Sequence, residues 1–407
     1  MSIERVVIAG GGLAGLRTAH ELRSAGYPGA ITMIGAEPHP PYDRPPLSKK
    51  VMLGEIDDSS LDGDAETLGM DMRLGEQATG LDVDAAGGLV RTTGGEYRYD
   101  RLAVVSGAGP VRLPGSGRQR VLRTIDDALA VRARLHPGTH LAIVGAGWIG
   151  AELATAAAAR GATVTVVEAA QTPVAAALGM EAGAQMVSWY AEAGVDLRLG
   201  QPVESVEPGG LALPGGGWLA ADEIVTAVGV RPLTGWLEGS GIEVANGVVV
   251  DERLRTSVDG VFSAGDCAAF WSGRYRMRLR VEHWDTALHA PEVVAANILG
   301  GDEVYDPVPY FWSEQFGRMV QYTGHHEPGD RLVWRGDPAG PRWGACWIAG
   351  SGGSPGPAGA GSLVAVLAVG RPRDVLQGRR IIASGVPVDA ARLADPDIPI
   401  RDAGAGA

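Results

Sequence analysis

The chain has 407 residues, of which 45% are hydrophobic and 20% are charged, and its formal net charge is −13. This length exceeds one ordinary hydrophobic core, so two or three domains are expected. The negative charge argues against nucleic acid as a partner, since phosphate binding requires clustered positive charge. No apolar run is long enough to cross a bilayer. The sequence passes directly from MSIER into the strand-like VVIAG, without the pattern of a signal peptide, so a cytoplasmic location is expected.

The charge is unevenly distributed along the chain. Residues 310–407 carry ten Arg and nine acidic residues, a net charge of +1, which leaves −14 on the first 309 residues. A locally basic face for an acidic protein partner and an ordinary solvated surface both remain open.

Cysteine and lysine are scarce. The two cysteines, Cys267 and Cys346, lie far apart, which excludes a zinc cluster, an iron–sulfur cluster within this chain and a CxxC redox pair. Lys49 and Lys50 are the only lysines, against 33 Arg. In so Arg-rich a chain, a retained lysine hints that an amine is required at that position.

The first recognisable motif joins a short apolar strand to a helix through glycines. Gly10, Gly12 and Gly15 follow the strand and open the helix, and Glu37 follows the next strand. Glycine lets the backbone turn sharply and approach a pyrophosphate, which then binds at the helix N-terminus. Glu37 can accept hydrogen bonds from a ribose. This pattern predicts a dinucleotide-binding β-α-β unit.

The same pattern returns about 135 residues later, with Gly145, Gly147 and Gly150 in the turn. Glu168 ends the following strand, 23 residues after Gly145. A carboxylate there binds the 2′-hydroxyl of the adenosine ribose and repels a 2′-phosphate, and residues 169–171 contain no Arg to neutralise that phosphate. The second unit is therefore predicted to prefer NADH over NADPH.

Two dinucleotide sites in one chain need two dinucleotides, and FAD with NADH is the usual combination. The segment TSVDGVFSAGDCA at 256–268 helps to decide which site holds the flavin, because its Gly-Asp pair can direct Asp266 to a ribityl hydroxyl. Taken alone, Asp266 could equally be a helix N-cap.

The remaining segments have simpler patterns. Residues 75–107 and 195–228 alternate apolar and polar positions between turn residues, which predicts β-hairpins. Residues 283–299 predict a helix that Pro291 should kink or interrupt. Strands and loops are expected from about residue 310, followed by a helix near 373–383. The low-complexity stretch 351–362 predicts a mobile loop between two strands, and residues 402–407 are expected to be disordered.

Several longer motifs carry a resemblance to a known family. They are PYDRPPLSK (41–49), LRTIDDA (122–128), VEHWDTAL (281–288), PYFWSEQFG (309–317) and GRPRD (370–374), together with SAGDCA and both glycine turns. Over nearly its whole length the chain resembles the FAD-dependent ferredoxin reductases of bacterial oxygenase systems, within the glutathione-reductase-like flavoproteins. The combination of PYDRPPLSK, VEHW and PYFWS is far more specific than the glycine turns.

The resemblance implies a set of FAD contacts. Ala14 would offer its backbone to the pyrophosphate, Ala78 would meet the adenine, and Trp284 would lie against the isoalloxazine ring. Trp312 would bring its backbone to the pyrimidine edge, and the alternative for either Trp is core packing alone. The remaining implied FAD contacts are Arg44, Ser106, Gly107 and Arg123. Ser106 stands where the family usually has Thr.

The resemblance also assigns the residues of hydride transfer. Lys49 would lie beside the reactive edge of the flavin, where an ammonium can stabilise charge on the reduced ring. Glu152 would pair with Lys49 near the nicotinamide, and Ile149 and Gly229 would complete the NADH site. The alternative for Lys49 is an ordinary surface lysine.

The missing thiols fit this resemblance. Flavoprotein disulfide reductases place a cysteine pair beside the flavin, whereas the corresponding first region here reads RPPLSKK. Electrons should therefore leave the flavin directly for an external acceptor, and Cys267 is expected to be a buried structural thiol.

Together these features predict an α/β protein with two Rossmann-like domains and a C-terminal α+β domain. The expected division is an FAD domain at 1–112 and 240–309, an NADH domain at 113–239 and a C-terminal domain at 310–407. The expected activity is electron transfer from NADH through FAD to a small iron–sulfur ferredoxin that feeds a monooxygenase or dioxygenase. A monomer or homodimer is expected.

Two alternatives remain open. One changes the acceptor and makes the protein a rubredoxin reductase or an NADH diaphorase. The other is a flavoprotein resembling apoptosis-inducing factor, in which NADH binding switches assembly and turnover is incidental.

Overall fold

The computed structural model describes residues 3–61, 65–84, 87–349 and 360–404. The chain divides into two units, each built from three separate segments. The first unit comprises Met1–Pro45, Asp58–Gly109 and Val230–Asp306. The second comprises Pro46–Asp57, Pro110–Gly229 and Pro307–Ala407.

The first unit is organised around a five-stranded sheet in which every pairing is parallel. Its strands, in spatial order, are Val261–Ser263, Arg101–Val104, Arg5–Ala9, Ala30–Gly35 and Asp71–Leu74. The central strand reads RVVIA, and its last four residues are buried. Such a continuous apolar run is typical of parallel strands that are covered on both faces.

Shorter strands complete the first unit. The predicted hairpin region 75–107 contains the antiparallel strands Ala78–Asp84, Gly87–Thr92 and Glu96–Tyr99, whereas its last strand, Arg101–Val104, belongs to the parallel sheet. A four-stranded sheet contains Val244–Ala245, Gly247–Val250, Ala268–Ser272 and Met277–Leu279. Two short strands, Ala108–Pro110 and Val230–Pro232, pair with each other. Single helical turns lie at Gly235–Leu237 and Gly265–Cys267.

Two α-helices of the first unit, Leu13–Ser24 and Trp284–Ile298, pack together. The second helix continues through Pro291, so the expected interruption is wrong, and the expected kink stays a prediction. Proline removes one backbone donor from a helix. Burial of Pro291 and of the residues around it, such as Ala290 and Val294, offsets that loss because the helix contributes to the core of the unit.

The second unit contains a four-stranded parallel sheet. Its strands, in spatial order, are Asp196–Arg198, Thr163–Val167, His140–Val144 and Glu223–Thr226. Its α-helices are Lys50–Leu53, Ile125–Arg132, Trp148–Ala159, Ala175–Ala184 and Val187–Glu192. The predicted hairpins within 195–228 are the antiparallel strands Ser205–Glu207, Gly210–Leu213 and Gly217–Ala220. Single helical turns lie at Pro45–Ser48 and Pro214–Gly216.

The C-terminal part of the second unit is an antiparallel sheet. Its strands, in spatial order, are Tyr310–Gln315, Arg318–Gly324, Ala360–Val369, Trp343–Ile348 and Arg331–Arg335, with Pro387–Asp389 paired to the start of Ala360–Val369. The predicted helix near 373–383 spans Pro372–Ser384, and Ala390–Ala394 and Ile400–Asp402 form shorter turns. Residues 351–359 of the predicted loop 351–362 lie outside the described residues, which resume at Ala360 in a strand, so the expected loop is wrong for residues 360–362.

A buried arginine connects several segments of this C-terminal part through hydrogen bonds. The Arg335 side chain is 1% exposed and its Nε donates to Asp374 at 2.9 Å. Its two terminal nitrogens donate to the carbonyl oxygens of Leu393, Asp395 and Ile398 at 2.6–2.9 Å. One guanidinium thereby connects the edge strand, the helix and the final loop.

The predicted fold class is confirmed, because the chain combines Rossmann-like parallel sheets with a C-terminal antiparallel sheet and helix. The three-part domain division stays a prediction. The expected disorder at 402–404 is wrong, since Asp402 ends a helical turn and Gly404 forms a bridge with Val388. Residues 405–407 lie outside the described part. Within that part, no helix combines the length and apolarity needed to cross a membrane.

Candidate dinucleotide-binding sites

The first glycine turn is closed by two contacts that only glycine permits. Gly10 has φ +144°, and a Cβ added there would lie 2.1 Å from the carbonyl oxygen of Val105. A Cβ on Gly15 would lie 2.0 Å from the carbonyl oxygen of Gly10. The turn therefore packs against the neighbouring strand and against its own helix, as the glycine pattern predicts.

Gly12 differs from these two glycines because its surroundings are open. It is the N-cap of the helix Leu13–Ser24 and provides no side-chain cap. No atom lies within 4 Å of the position that a Cβ would occupy. The first amides of a helix lack intrahelical partners, so this turn presents donors and free space to a pyrophosphate. Ala14 lies in the first turn of the helix, and a Cβ on Gly265 would come within 3.3 Å of its Cβ.

Glu37 and Arg44 form one polar group in the first unit. Arg44 Nη2 donates to Glu37 Oε1 at 2.6 Å, and the Tyr42 hydroxyl donates to Glu37 Oε2. Burial lowers the pKa of Arg44, but the charges of Tyr42, Glu37 and Asp266 raise it, and the net shift is upward. Asp266 therefore lies within electrostatic reach of this group. The carbonyl oxygen of Glu37 accepts from Gly75, three residues before Ala78.

The structure also locates the other first-unit candidates. Asp266 lies inside the turn Gly265–Cys267, whose N-cap is Ala264, so the alternative in which Asp266 is an N-cap is wrong. The Ser106 hydroxyl donates to the carbonyl oxygen of Leu233 at 2.7 Å, and the Gly107 carbonyl accepts from the Leu233 amide. Ser106 and Gly107 directly follow Val105, against which the first glycine turn packs.

Trp284 is half-buried and begins the long helix of the first unit. Its indole N–H donates to Asp43 Oδ1 at 2.8 Å, beside Arg44. This polar contact orients the indole. The residues that contact the glycine turn or its helix, Val105 and Gly265, directly precede the candidates Ser106 and Asp266, and the open N-cap at Gly12 fits the pyrophosphate of FAD.

The second glycine turn reproduces the first. Gly145 has φ +104°, and a Cβ on Gly150 would lie 2.0 Å from the carbonyl oxygen of Gly145. Gly147 is the N-cap of the helix Trp148–Ala159 and provides no side-chain cap, and no atom lies within 4 Å of the point where its Cβ would be. The same combination of donors and free space fits the pyrophosphate of NADH.

Glu168 lies at the end of its strand and contacts this second turn. Its Oε2 accepts from the Ala146 amide at 2.7 Å, and its Oε1 accepts from the Ala170 amide at 2.8 Å. Each ionised carboxylate oxygen has lone pairs for a further donor. Ile149 is 42% exposed at the start of the helix, and Gly229 has φ +101° and open space around it.

Lys49 and Glu152 form the ion pair that the resemblance implies. Lys49 Nζ lies 2.8 Å from Glu152 Oε2, and the two side chains are 14% and 4% exposed. The Ser48 hydroxyl donates to the same oxygen at 2.5 Å, and the Ser313 hydroxyl donates to Glu152 Oε1 at 2.6 Å. A cavity of about 360 Å³ adjoins the pair and is also lined by Thr155. Lys49 is therefore not an ordinary surface lysine.

Arg123 and Trp312, like Lys49, belong to the second unit. The Arg123 amide donates to Asp127 in a capping box that begins the helix Ile125–Arg132. Trp312 is half-buried, and its ring is stacked on Tyr310 with centroids 6.3 Å apart. Their contacts with FAD stay predictions.

Both cysteines are buried and free. Cys267 belongs to the first unit and Cys346 to the second. Burial raises the pKa of Cys267, and it raises the pKa of Cys346 to about 12. Both therefore remain protonated thiols at neutral pH. The expectation that Cys267 is a structural thiol agrees with this environment.

Sequence reasoning missed several polar partners. Tyr42 and Asp43 hold Glu37 and Trp284, and Ser48 and Ser313 hold Glu152. All four lie in the motifs PYDRPPLSK and PYFWSEQFG. Those motifs marked the segments, but their spacing carried no information about the partners of Asp43, Ser48 and Ser313, which lie 241, 104 and 161 residues away.

Two glycine turns with open N-caps, each followed by a carboxylate after the next strand, define a pyridine-nucleotide-linked flavoprotein. The chain belongs to the pyridine nucleotide-disulphide oxidoreductase family, which matches residues 4–290. Residues 310–404 match the reductase C-terminal family.

Similar proteins extend over the whole chain. The ferredoxin–NAD(+) reductase component of the anthranilate 1,2-dioxygenase system of Burkholderia cepacia is 33% identical, over 98% of this chain and 99% of that protein. The crystal structure of Fdr9 is 49% identical with a TM-score of 0.92, over 98% of this chain and 99% of that one. The covalent putidaredoxin reductase–putidaredoxin complex is 29% identical with a TM-score of 0.90, over 98% of this chain and 97% of that one.

Proposed function

We propose that this chain is an NADH-dependent ferredoxin reductase that uses FAD and serves an oxygenase. One observation carries the proposal. The chain has two glycine turns with open N-caps, whereas both of its cysteines are buried and free. Similarity to a ferredoxin–NAD(+) reductase component and to putidaredoxin reductase supports ferredoxin as the acceptor.

FAD, when bound, supplies a ring that accepts a hydride as two electrons and releases them singly, which suits a one-electron iron–sulfur acceptor. The residues of the chain provide binding and orientation. We assign the turn at Gly10–Gly15 to the FAD pyrophosphate, with Glu37 as ribose acceptor, and the turn at Gly145–Gly150 to NADH. Lys49 would place a positive charge beside the flavin ring, where it would stabilise negative charge, and Glu152 holds its ammonium.

NADH is an intracellular metabolite, which supports a cytoplasmic location. Selectivity for it over NADPH is assigned to Glu168, whose carboxylate directly contacts the second glycine turn.

The assignment of cofactors to turns can be tested with a matched pair of variants. Gly12 and Gly147 have ordinary backbone angles, with φ −95° and −73°, and both have open space at the Cβ position. Asp is a favourable N-cap, so Gly12→Asp and Gly147→Asp should fold. Each introduces a carboxylate where a pyrophosphate would bind.

Gly12→Asp should purify without flavin, as measured by visible absorption. Gly147→Asp should remain yellow but lose NADH binding, as measured by calorimetry. Each variant is the control for the other. The reverse outcome would exchange the two sites, and retention of both cofactors in both variants would contradict the assignment.

The electron acceptor is tested by anaerobic stopped-flow mixing of the protein with NADH, followed by a small iron–sulfur ferredoxin. Rapid bleaching of flavin absorption and then fast reoxidation by ferredoxin are expected. Bleaching with slow reoxidation would refute ferredoxin and favour a rubredoxin or diaphorase acceptor. A change of oligomeric state with NADH and little turnover would favour an assembly switch. A colourless protein would refute the flavoprotein assignment.

A further inference from the structure

The ion pair between Lys49 and Glu152 is held by side chains from three separate stretches of the second unit. Glu152 lies on the helix Trp148–Ala159, Ser48 and Lys49 lie at the turn after PYDRPP, and Ser313 lies on the strand Tyr310–Gln315. Glu152 and the two serines are at most 3% exposed. A buried carboxylate needs hydrogen-bond donors from the protein, because water is largely excluded.

The donors are divided between the two carboxylate oxygens of Glu152. Oε2 accepts from Ser48 and Lys49, at 2.5 and 2.8 Å, and Oε1 accepts from Ser313 at 2.6 Å. Behind Ser313, Gln315 Nε2 donates to the Ser313 oxygen at 3.0 Å. A hydroxyl carries one hydrogen. The bond from Gln315 therefore occupies a lone pair of Ser313 and leaves its hydrogen directed at Glu152.

The terminal torsion of a glutamate side chain is broad, so one anchored oxygen does not fix the carboxylate plane. Ser313 donates to the second oxygen, so both oxygens of Glu152 are held and the orientation of the carboxylate plane is fixed. The Lys49 ammonium donates to the first oxygen, so its position depends on the orientation of that plane. Without Ser313, the carboxylate can rotate and the ammonium can turn toward the adjoining cavity.

We propose that Ser313, supported by Gln315, is a positioning residue that acts through Glu152 to hold the Lys49 ammonium for hydride transfer. The proposal rests on the role given to Lys49 in the proposed function. The hydrogen bonds that join Gln315, Ser313, Glu152 and Lys49 can be tested separately, since they do not depend on which substrates the protein uses.

The chain offers an internal control for that test, because it contains only two lysines and they are adjacent. Lys50 is exposed, whereas Lys49 is largely enclosed. Trace acylation of the purified holoprotein with an N-hydroxysuccinimide ester, read by fragment-ion mass spectrometry, gives the reactivity of Lys49 relative to Lys50. An ammonium released from its carboxylate reacts faster.

Ser313→Ala should raise the Lys49:Lys50 acylation ratio at least about threefold, because only part of the free energy of the lost hydrogen bond to Glu152 is transmitted to Lys49. Ser272→Ala is the matched control. Ser272 is also fully buried and also donates to a carboxylate, that of Asp306, but it belongs to the first unit. The ratio in this control should match that of the parent protein.

If Ser313→Ala does not fold, Gln315→Met decides the question, because it keeps the side-chain volume and removes the donor to Ser313. It should raise the ratio about twofold, since the Ser313 hydrogen is then free to point elsewhere. An unchanged ratio in the folded variant would overturn the proposal.

The catalytic part is tested by a double-mutant cycle on the rate of anaerobic flavin reduction by NADH. Ser313→Ala should lower the limiting rate roughly tenfold in the parent protein. In a Glu152→Gln background, the same change should cost less than about twofold, because the residue through which Ser313 acts has already been altered. Equal losses in both backgrounds would show that Ser313 acts independently of Glu152. A raised acylation ratio without any loss of rate would leave the chain of hydrogen bonds intact but refute the role of Lys49.

Discussion

Glu168 provides the most direct test of how this chain selects its pyridine nucleotide. Its two carboxylate oxygens accept from Ala146, in the second glycine turn, and from Ala170, after the strand, at 2.7 and 2.8 Å. These contacts fix the carboxylate at the mouth of the turn. The remaining lone pairs can accept from a ribose 2′-hydroxyl, whereas a 2′-phosphate at the same point would face a full negative charge.

The size of the effect follows from two contributions. A hydrogen bond to a charged acceptor contributes about 1.5–3 kcal/mol, so Glu168→Ala should lower kcat/KM for NADH by roughly 10–100-fold. Two unit charges about 5 Å apart at an effective dielectric constant of about 40 repel by about 1.7 kcal/mol. Removal of that repulsion should raise kcat/KM for NADPH by roughly fifteenfold. The NADH:NADPH ratio should therefore fall by about 100-fold or more.

The measurement is steady-state kinetics with both nucleotides and one saturating electron acceptor. Glu168→Gln keeps a carbonyl acceptor and removes the charge, so it should retain more NADH activity while gaining the same NADPH activity. Glu204→Ala, which removes an exposed acid elsewhere in the unit, controls for net charge. A ratio that is unchanged in Glu168→Ala would refute the assignment of this carboxylate to the ribose.

Three further predictions concern thiols, packing and pH. Replacing both Cys267 and Cys346 by Ser should leave flavin reduction by NADH intact in stopped-flow measurements, because neither thiol takes part in electron transfer. Arg335→Met should lower the free energy of unfolding by about 3 kcal/mol in denaturant titrations, since it leaves three carbonyls without their buried donor and leaves Asp374 with Arg371 as its remaining arginine. Acidification from pH 6.5 to about 4 should destabilise the fold by roughly 1–2 kcal/mol through His326, after allowance for its partial exposure. Burial lowers the pKa of this ring to about 4, so the unfolded chain binds the proton first.

Each of the three predictions has a control variant or a result that would contradict it. Loss of flavin reduction in the double cysteine variant would show that a thiol is required. Arg373→Ala removes an exposed arginine from the neighbouring helix and should change stability by less than about 0.5 kcal/mol. An equal loss in both arginine variants would refute the buried role of Arg335. His326→Asn should lose less stability on acidification than the parent protein, and an identical pH profile would assign the effect to other groups.

The glycine turns could be predicted from the sequence because their chemistry is local. Gly10, Gly15, Gly145 and Gly150 contact backbone atoms within one strand–turn–helix motif or its neighbouring strand, so their spacing alone indicates the turn. The pairing of Lys49 with Glu152 could be inferred only from the resemblance, since 103 residues separate them.

The other features of the fold and the site depend on tertiary packing, which the spacing of residues in the sequence does not indicate. The hydroxyl partners of Glu152 come from segments 104 and 161 residues away in sequence. The uninterrupted helix through Pro291 reflects burial against another helix, and tertiary burial overrides local propensity. The carboxylate of Glu168 was expected to meet a ribose, but its contacts with two backbone amides depend on the conformation of the folded turn.

The segment Pro46–Asp57 has a consequence for how the protein is made. It belongs to the second unit, where Arg132 binds the carbonyls of Val51 and Ile56. At a synthesis rate of about 5–20 residues per second, it leaves the ribosome on the order of 4–15 s before Arg132. Ser313 follows Glu152 by 161 residues, a further delay on the order of 8–32 s. Lys49 and Glu152 can therefore pair in the nascent chain before Ser313 has been synthesised. The Glu152 carboxylate gains its second hydrogen-bond donor only when the C-terminal part of the chain folds.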